Sequence, residues 1–303
     1  MKIRHILIIL TAVFMSGCAA KTSLNWDRAV TDKPQIALSV PFYPQKAYNC
    51  GPAALAMALD DKGLSVTPDE LVSAVYTPSK KGTLQPDMLQ GARRYGKIPY
   101  PVSSPDELMN ELAQDRPVVV FLNLGLSWHP VWHYAVVTGI SPRDGLVFMH
   151  SGTKKNEAVK AATFDHIWGR AGYWGFVTLN PGEIPMDASP VKLIDSVNAL
   201  ESAGKRPEAL KAYEAAYAKW PEDRLVLFAY ANSLYFKGDK ERAAELLTKL
   251  TSLYPQDADA WNNLAQILHE LGRKDEAVKA AETAVNIGGD RVNDYKQTLS
   301  DIK

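Results

Sequence analysis

The order of apolar and polar positions divides the chain into a mixed α/β segment followed by an all-helical one. Ala53 to Asp60 is an Ala/Leu/Met run with strong helix propensity. Thr67 and Ser104 are each followed three residues later by a glutamate, the capping-box pattern that opens a helix. Beyond these helices the chain turns rich in Val, Phe, Tyr and Thr, and strands are predicted over 117–122, 133–140, 146–149 and 173–179, with a hairpin turn at 142–145. Helices followed by antiparallel strands indicate an α+β domain.

The helical segment after Pro190 repeats with a fixed period. Glycine, alanine and proline each recur at intervals of 34 residues: Gly204, Gly238 and Gly272; Ala209, Ala243 and Ala277; Pro221 and Pro255, with Gly289 in the third slot. A helix-turn-helix unit of this period resembles the tetratricopeptide repeat, which implies three units over 191–303 and a surface that binds a protein partner. The alternative is a generic helical bundle, in which three independent spacings would agree by chance.

The N-terminus predicts export rather than fold. Lys2 and Arg4 precede a nine-residue apolar run, Ile6 to Phe14, which is shorter than the roughly 20 residues of a membrane span. The following Met15-Ser16-Gly17-Cys18-Ala19 resembles the bacterial lipobox, with Met15 where Leu is usual. This resemblance implies that Cys18 becomes the acylated first residue of a lipid-anchored protein. The alternative is an ordinary signal peptide cleaved near Ala20.

These patterns give a division into five segments. They are a lipoprotein signal peptide (1–17), a polar tether (18–34), an α+β domain (35–180), a linker rich in Pro and Gly (181–190) and the repeat domain (191–303). Ala19, in place of the Asp of an inner-membrane retention signal, favours the outer membrane. The predicted location is the cell envelope, facing the periplasm.

Net charge and cysteine content limit the functions to be considered. Formal net charge is zero and gives no indication of nucleic-acid binding. The chain has two cysteines, so acylation of Cys18 leaves Cys50 as the only thiol. Exported cysteines are normally paired, and an unpaired one is a candidate reactive thiol. The alternative is a small, buried structural cysteine.

The surroundings of Cys50 suit a nucleophile. Cys50 comes just before a predicted helix with Gly51 and Pro52 at its first positions, and a helix N-terminus lowers the pKa of a thiol. Gln45, five residues earlier, carries an amide that can donate to a developing oxyanion together with the Cys50 N–H. Taken alone, Gln45 would be a solvated loop residue.

A histidine is the usual base for such a thiol. Of six histidines, His5 lies in the signal and His269 in the repeats; the others are His129, His133, His150 and His166. His133 opens a strand pattern, which is a rigid platform for a base. A metal site at His129 and His133 is weakly supported because Pro130 opposes a helix and no acidic residue completes the set. No cofactor or metal is predicted.

The combination is similar to a known family. Gln45 through Leu55, with Asn49-Cys50-Gly51-Pro52-Ala53-Ala54-Leu55, and the strand His133 to Val137 resemble the bacteriocin-processing, double-glycine-leader cysteine peptidases. The resemblance implies a papain-like fold over the α+β domain, with Cys50 as nucleophile, His133 as base and Gln45 at the oxyanion.

Two departures from that family pattern affect the expectation. The family places an Asp one hairpin after the base, but the slot near 149–152 holds none. His150 is taken as a candidate orienting residue, with Asp144 and Asp165 as alternatives. The family domains attached to exporters face the cytosol, whereas this chain carries an export signal.

Two functions follow. The first is a lipid-anchored thiol peptidase that acts on a peptide or protein, with repeats that recruit the substrate or a partner. The second is a catalytically weak or inactive scaffold of the same fold that binds peptides or proteins through its repeats.

Overall fold

The structure is a computed structural model, described here for residues 35–46 and 49–303. The predicted signal segment, the predicted lipidation site at Cys18 and the predicted tether lie outside the described residues. Across the described ranges, no helix has the length and apolar character to span a bilayer.

An antiparallel sheet with helices on both faces forms the first domain. Its strands are β1 (Ile36–Ala37), β2 (Tyr76–Thr77), β3 (Gly82–Thr83), β4 (Ile98–Val102), β5 (Val118–Asn123), β6 (Trp132–Ser141), β7 (Leu146–Ser151), β8 (Lys154–Lys160) and β9 (Gly175–Leu179). Its helices are α1 (Cys50–Asp60), α2 (Pro68–Val75), α3 (Gln85–Arg94), α4 (Pro105–Ala113) and α5 (Ala161–Gly169). The main sheet has the order β4-β9-β5-β6-β7-β8, with β1 also paired to β6, while β2 and β3 form a separate hairpin.

The central strands are apolar throughout because both faces of the sheet are covered. Successive side chains of a strand point to opposite faces. Val119 and Val136 therefore pack with α1, α2 and α3, whereas Val120 and Val137 belong to the other core, with α4 and α5. This explains why the strands are continuous apolar runs in the sequence rather than alternating ones.

The capping predictions have different outcomes. Thr67 forms the complete capping box: its hydroxyl accepts from the Glu70 N–H, and the Glu70 carboxylate accepts from the Thr67 N–H. Ser104 caps α4 through the Glu107 N–H, but the Glu107 carboxylate accepts from the Ser103 N–H instead. The second box is therefore displaced by one residue.

The sequence patterns did not predict the strands at the two ends of the main sheet. β4 contains Pro99 and Pro101, which cannot donate to a neighbouring strand and are tolerated because β4 lies at the end of the sheet. β8, at the other end, is mostly charged and solvent-exposed, which protects an edge against pairing with another chain. Neither composition is typical of a strand.

The second domain is a stack of paired helices. They are α6 (Pro190–Ser202), α7 (Arg206–Lys219), α8 (Arg224–Lys237), α9 (Lys240–Leu253), α10 (Ala258–Glu270), α11 (Lys274–Ile287) and α12 (Val292–Ile302). Gly204, Gly238 and Gly272 lie in the turns with φ of 82°, 94° and 76°, a conformation that other residues rarely adopt. The repeating alanines are completely buried between the paired helices. The predicted fold, an α+β domain followed by helical repeats, is confirmed.

The predicted linker makes contacts with both domains. The N–H of Met186 donates to Gln114 Oε1 at 3.1 Å, and Lys219 Nζ donates to the carbonyl of Pro185 at 3.0 Å. Lys192, on α6, pairs with Glu107 at 2.8 Å. One hydrophobic core continues from the sheet into the repeats. The two domains are therefore packed together rather than joined by a free tether.

Candidate active site

Cys50 is the first residue of α1, so the helix begins one residue earlier than the sequence predicts. The helix begins without a side-chain cap, so its first N–H groups remain available to the thiol. A Cβ on Gly51 would lie 2.4 Å from Thr83 Oγ1, so glycine is needed for α1 to approach β3. Cys50 is a half-buried, free cysteine within the described part of the chain.

The pKa of the Cys50 thiol differs from the expectation. The backbone N–H groups of Tyr134, Gly51 and Cys50 point at the sulfur and lower its pKa, as a helix start should. Burial has the larger effect, and the net pKa is raised above its ordinary value. The predicted depressed pKa is therefore wrong, because burial outweighs the N–H groups.

His133 directly precedes a residue whose backbone contacts the Cys50 thiol. The Tyr134 N–H that points at the Cys50 sulfur belongs to the residue directly after His133. His133 is buried on β6, and burial lowers the pKa of its imidazole, partly opposed by the Glu157 carboxylate. Its Nε2 lies 3.1 Å from Ser151 Oγ. A neutral imidazole at neutral pH is the protonation state that a general base requires.

His150 does not orient His133, which corrects the expectation. Its Nε2 lies 3.1 Å from the Val40 carbonyl, and its Nδ1 accepts from the Asn156 N–H at 3.0 Å. Both ring nitrogens are thus occupied away from His133. Neighbouring strand residues face opposite sides of the sheet, so the partner of His133 is Ser151, one position further along β7.

The hairpin between β7 and β8 connects two predicted site residues. Ser151, at the end of β7, contacts the His133 ring, and the next carbonyl, that of Gly152, accepts from the Gln45 N–H at 3.1 Å. Gln45 is thereby held beside the same hairpin that supports the imidazole. A change in this hairpin would affect both residues.

Gln45, Cys50 and His133 line one cavity of about 940 Å³. The structure thus brings together the three residues that the sequence analysis assigned to catalysis. Trp132 and Tyr134 also line this cavity, whereas Trp128 is not among its lining residues. The remaining lining residues come from the β2–β3 region, from β5 with the loop after it, and from the end of α5: Lys80, Lys81, Gly82, Thr83, Leu84, Gln85, Pro86, Phe121, Leu124, Val131, Arg170 and Ala171.

The other candidates lie elsewhere. His129 is exposed in the turn after β5, with its ring centroid 6.0 Å from that of Trp128. Asp144 accepts from the hydroxyl of Ser141 at 2.7 Å, at the far end of β6 from His133. Over the residues that the structure describes, no group of three or more His, Cys, Asp or Glu side chains is placed to hold a metal ion.

Sequence reasoning missed the support of the site. Which residue of β7 faces His133 depends on the register between β6 and β7, so Ser151 had no signal in the sequence. The Tyr134 N–H and the approach of Thr83 to Gly51 had no signal in the sequence, since they join segments distant along the chain.

Comparison with known proteins agrees with this architecture. Residues 37–175 match the Peptidase_C39 like family, and residues 194–235 and 228–291 match the tetratricopeptide repeat. A C39-like peptidase structure from Bacillus anthracis aligns at 20% identity over 48% of this chain and 97% of that chain, with a TM-score of 0.41. A double glycine motif protease from an AMS/PCAT transporter, solved with its leader peptide, aligns at 20% identity over 47% and 92%, with a TM-score of 0.36.

The repeats also have a sequence relative. The tetratricopeptide repeat and J domain-containing co-chaperone DNJ1 of Fusarium oxysporum f. sp. lycopersici is 33% identical over 99 residues. The match covers 33% of this chain and 19% of that protein, so the chain spans about a fifth of the length of its curated relative. The chain therefore consists of a Peptidase_C39-like domain followed by tetratricopeptide repeats.

Proposed function

We propose that the protein is a thiol peptidase with Cys50 as nucleophile and His133 as general base. The supporting observation is that the Cys50 sulfur receives the N–H of Tyr134, directly after His133, while the ring of His133 is held at Nε2 by Ser151. In this proposal Nε2–H donates to Ser151, which leaves Nδ1 to take the thiol proton.

The reaction has two stages. As the proton moves to His133, the sulfur attacks the scissile carbonyl carbon, and the oxyanion receives the Cys50 N–H and the Gln45 amide. The imidazolium then protonates the leaving amine, and a water molecule, deprotonated by the same ring, hydrolyses the thioester. Because the resting thiol and imidazole are both neutral, proton transfer accompanies attack rather than preceding it.

The cellular setting belongs to the same proposal. The lipobox-like segment places an acyl anchor at Cys18, and the substrate is then a peptide or protein of the cell envelope, most simply at the periplasmic side of the outer membrane. The repeats recruit that substrate or a protein partner. No nucleic acid and no cofactor take part.

A second function is favoured by two observations. Ser151 gives His133 a hydrogen bond but no fixed negative charge, and the thiol pKa is raised. Both features suit a weak or inactive peptidase-like scaffold that binds its partner through the repeats.

Alkylation of the full chain separates the two functions. Iodoacetamide should modify Cys50 in the folded protein, and His133→Ala should slow that labelling. Mass spectrometry assigns the label to Cys50 rather than Cys18. His150→Gln is the matched control. The His150 ring has hydrogen-bond partners other than His133, so the labelling rate of this variant should stay near that of the wild type.

Cleavage itself requires a cellular comparison. Protein N-termini from the cell envelope should differ between wild type and Cys50→Ala, and the lost termini give the cleavage site. Identical termini together with a Cys50→Ser variant that keeps full function in cells would establish the scaffold instead.

A further inference from the structure

The cavity beside Cys50 carries positive charge and no carboxylate. Lys80 and Lys81 lie between β2 and β3, and Arg170 lies at the end of α5. None of the described residues that line this cavity is an Asp or a Glu. The whole chain has a net charge of zero, so this excess is a local property of the cleft. A cleft lined by one sign of charge attracts ligands of the other sign.

Two of the three cations, Lys80 and Lys81, are exposed and available to a ligand. The Arg170 guanidinium is held in place, because its Nη2 donates to the Asn123 carbonyl at 2.9 Å and its Nε is buried. Lys80 and Lys81 are exposed, and no salt bridge engages them within the described ranges. Asp87, a few residues later, accepts from Thr77 at 3.0 Å and does not line the cavity.

Apolar side chains line the same space. Leu84, Leu124, Val131 and Trp132 are 43–50% exposed although each lines the cavity. The Trp132 ring stacks on Phe121 with centroids 5.0 Å apart, which keeps the indole fixed at the cavity wall. These surfaces would lose water if a bulky apolar side chain occupied the cavity.

We propose that the cleft selects peptide segments in which acidic residues stand beside bulky apolar ones. This inference rests on the proposed peptidase function, because it assigns the substrate class of the same site. A peptide is favoured over an anionic membrane because the cations and the apolar side chains line one concave cavity with the nucleophile.

The test uses the full chain with Cys50→Ala, which binds without cleaving. The probe is a fluorescein-labelled peptide that alternates Glu with Leu and Phe, and its two comparison peptides carry Gln or Lys in place of Glu. Fluorescence anisotropy at low salt should show the Glu peptide binding at least about fivefold more tightly than the Gln peptide, with the Lys peptide weakest. Added salt should reduce the difference.

A matched pair of variants locates the charge effect. Lys80→Gln with Lys81→Gln should abolish most of the preference for Glu over Gln. Lys279→Gln with Lys296→Gln removes the same charge from exposed positions of the repeats and should leave it intact. Equal binding of the Glu and Gln peptides, or a preference that survives the first pair, would overturn the inference.

Two further outcomes are distinguished. Binding to phosphatidylcholine vesicles containing phosphatidylglycerol, lost with Lys80→Gln and Lys81→Gln and without any peptide binding, would assign the cations to a membrane and reject the proposal. Failure of the peptidase function would be seen separately, as wild-type protein that binds the Glu peptide selectively but does not cleave it.

Discussion

The cleft and the repeat domain are built on different principles. In the repeats, each recurring residue acts on its own neighbours: Gly238 permits a turn with φ of 94°, and Ala277 lets two adjacent helices pack closely. In the cleft, the thiol of Cys50 meets the backbone of Tyr134, and Thr83 packs on Gly51. Local rules suffice for the first region, whereas the second depends on contacts between distant parts of the chain.

The largest expected effect is in the cleft. His133→Ala should lower peptide cleavage by on the order of 10²- to 10⁴-fold, because the general base is lost. The circular dichroism spectrum should stay unchanged, since the fold does not depend on this ring. If His150→Gln lowered cleavage equally, the assignment of His133 as the base would be wrong.

Placing a larger side chain between the helices of a repeat should lower stability without changing the rate of cleavage. Ala277→Leu places a larger side chain in a completely buried contact and should lower the free energy of unfolding by about 1–3 kcal/mol. Ala218→Leu, at an exposed position of α7, is the control and should change little. Cleavage of a short peptide should be the same in both. A comparable loss of cleavage in Ala277→Leu would show that the two domains are coupled through their shared core.

Ser151→Asp tests whether a charge at the end of β7 changes the pKa of His133 and the rate of cleavage. A carboxylate 3 Å or so from the imidazole favours its charged form, so the His133 pKa should rise and cleavage should increase about tenfold. The measurement is the pH–rate profile. In the wild type the lowered His133 pKa should place the acid limb of the profile at lower pH than an ordinary histidine would give. In Ser151→Asp this acid limb should move to higher pH.

Ser151→Asn is the matched control for that prediction. It keeps a hydrogen-bonding side chain without a charge, so its acid limb should stay close to that of the wild type. A shift of equal size in Ser151→Asn would mean that the hairpin had moved and that charge was not the cause.

The smallest effect concerns a single turn of the repeats. Gly238→Ala should cost about 1–2 kcal/mol, because alanine is strained at positive φ. Nothing lies within 4 Å of the added Cβ, so the cost is conformational rather than steric. Gly238→Asn should cost less, since asparagine tolerates this conformation better. Thermal unfolding measures both, and equal costs would argue against a backbone origin.

Burial explains why the pKa of the Cys50 thiol is raised although the sequence predicts a depressed one. The position of Cys50 at the start of α1 was predictable, and the N–H groups act on the sulfur as expected. The net pKa is nevertheless raised, because desolvation outweighs those N–H groups. Desolvation depends on how much protein surrounds a group, which a local motif does not contain.

The amino-acid sequence by itself determined the domain order and the helical period, and its resemblance to a peptidase family singled out Gln45, Cys50 and His133. The domain order and the period follow from spacing along the chain, since propensity, capping and repeat length act over a few residues. Only the tertiary structure decided that Ser151 rather than His150 supports His133, that α6 packs on the edge of the sheet at β4, and that Lys80, Lys81 and Arg170 share a cavity with Cys50. Those contacts depend on strand register and on packing between distant segments, where a shift of one residue reverses the face of every side chain.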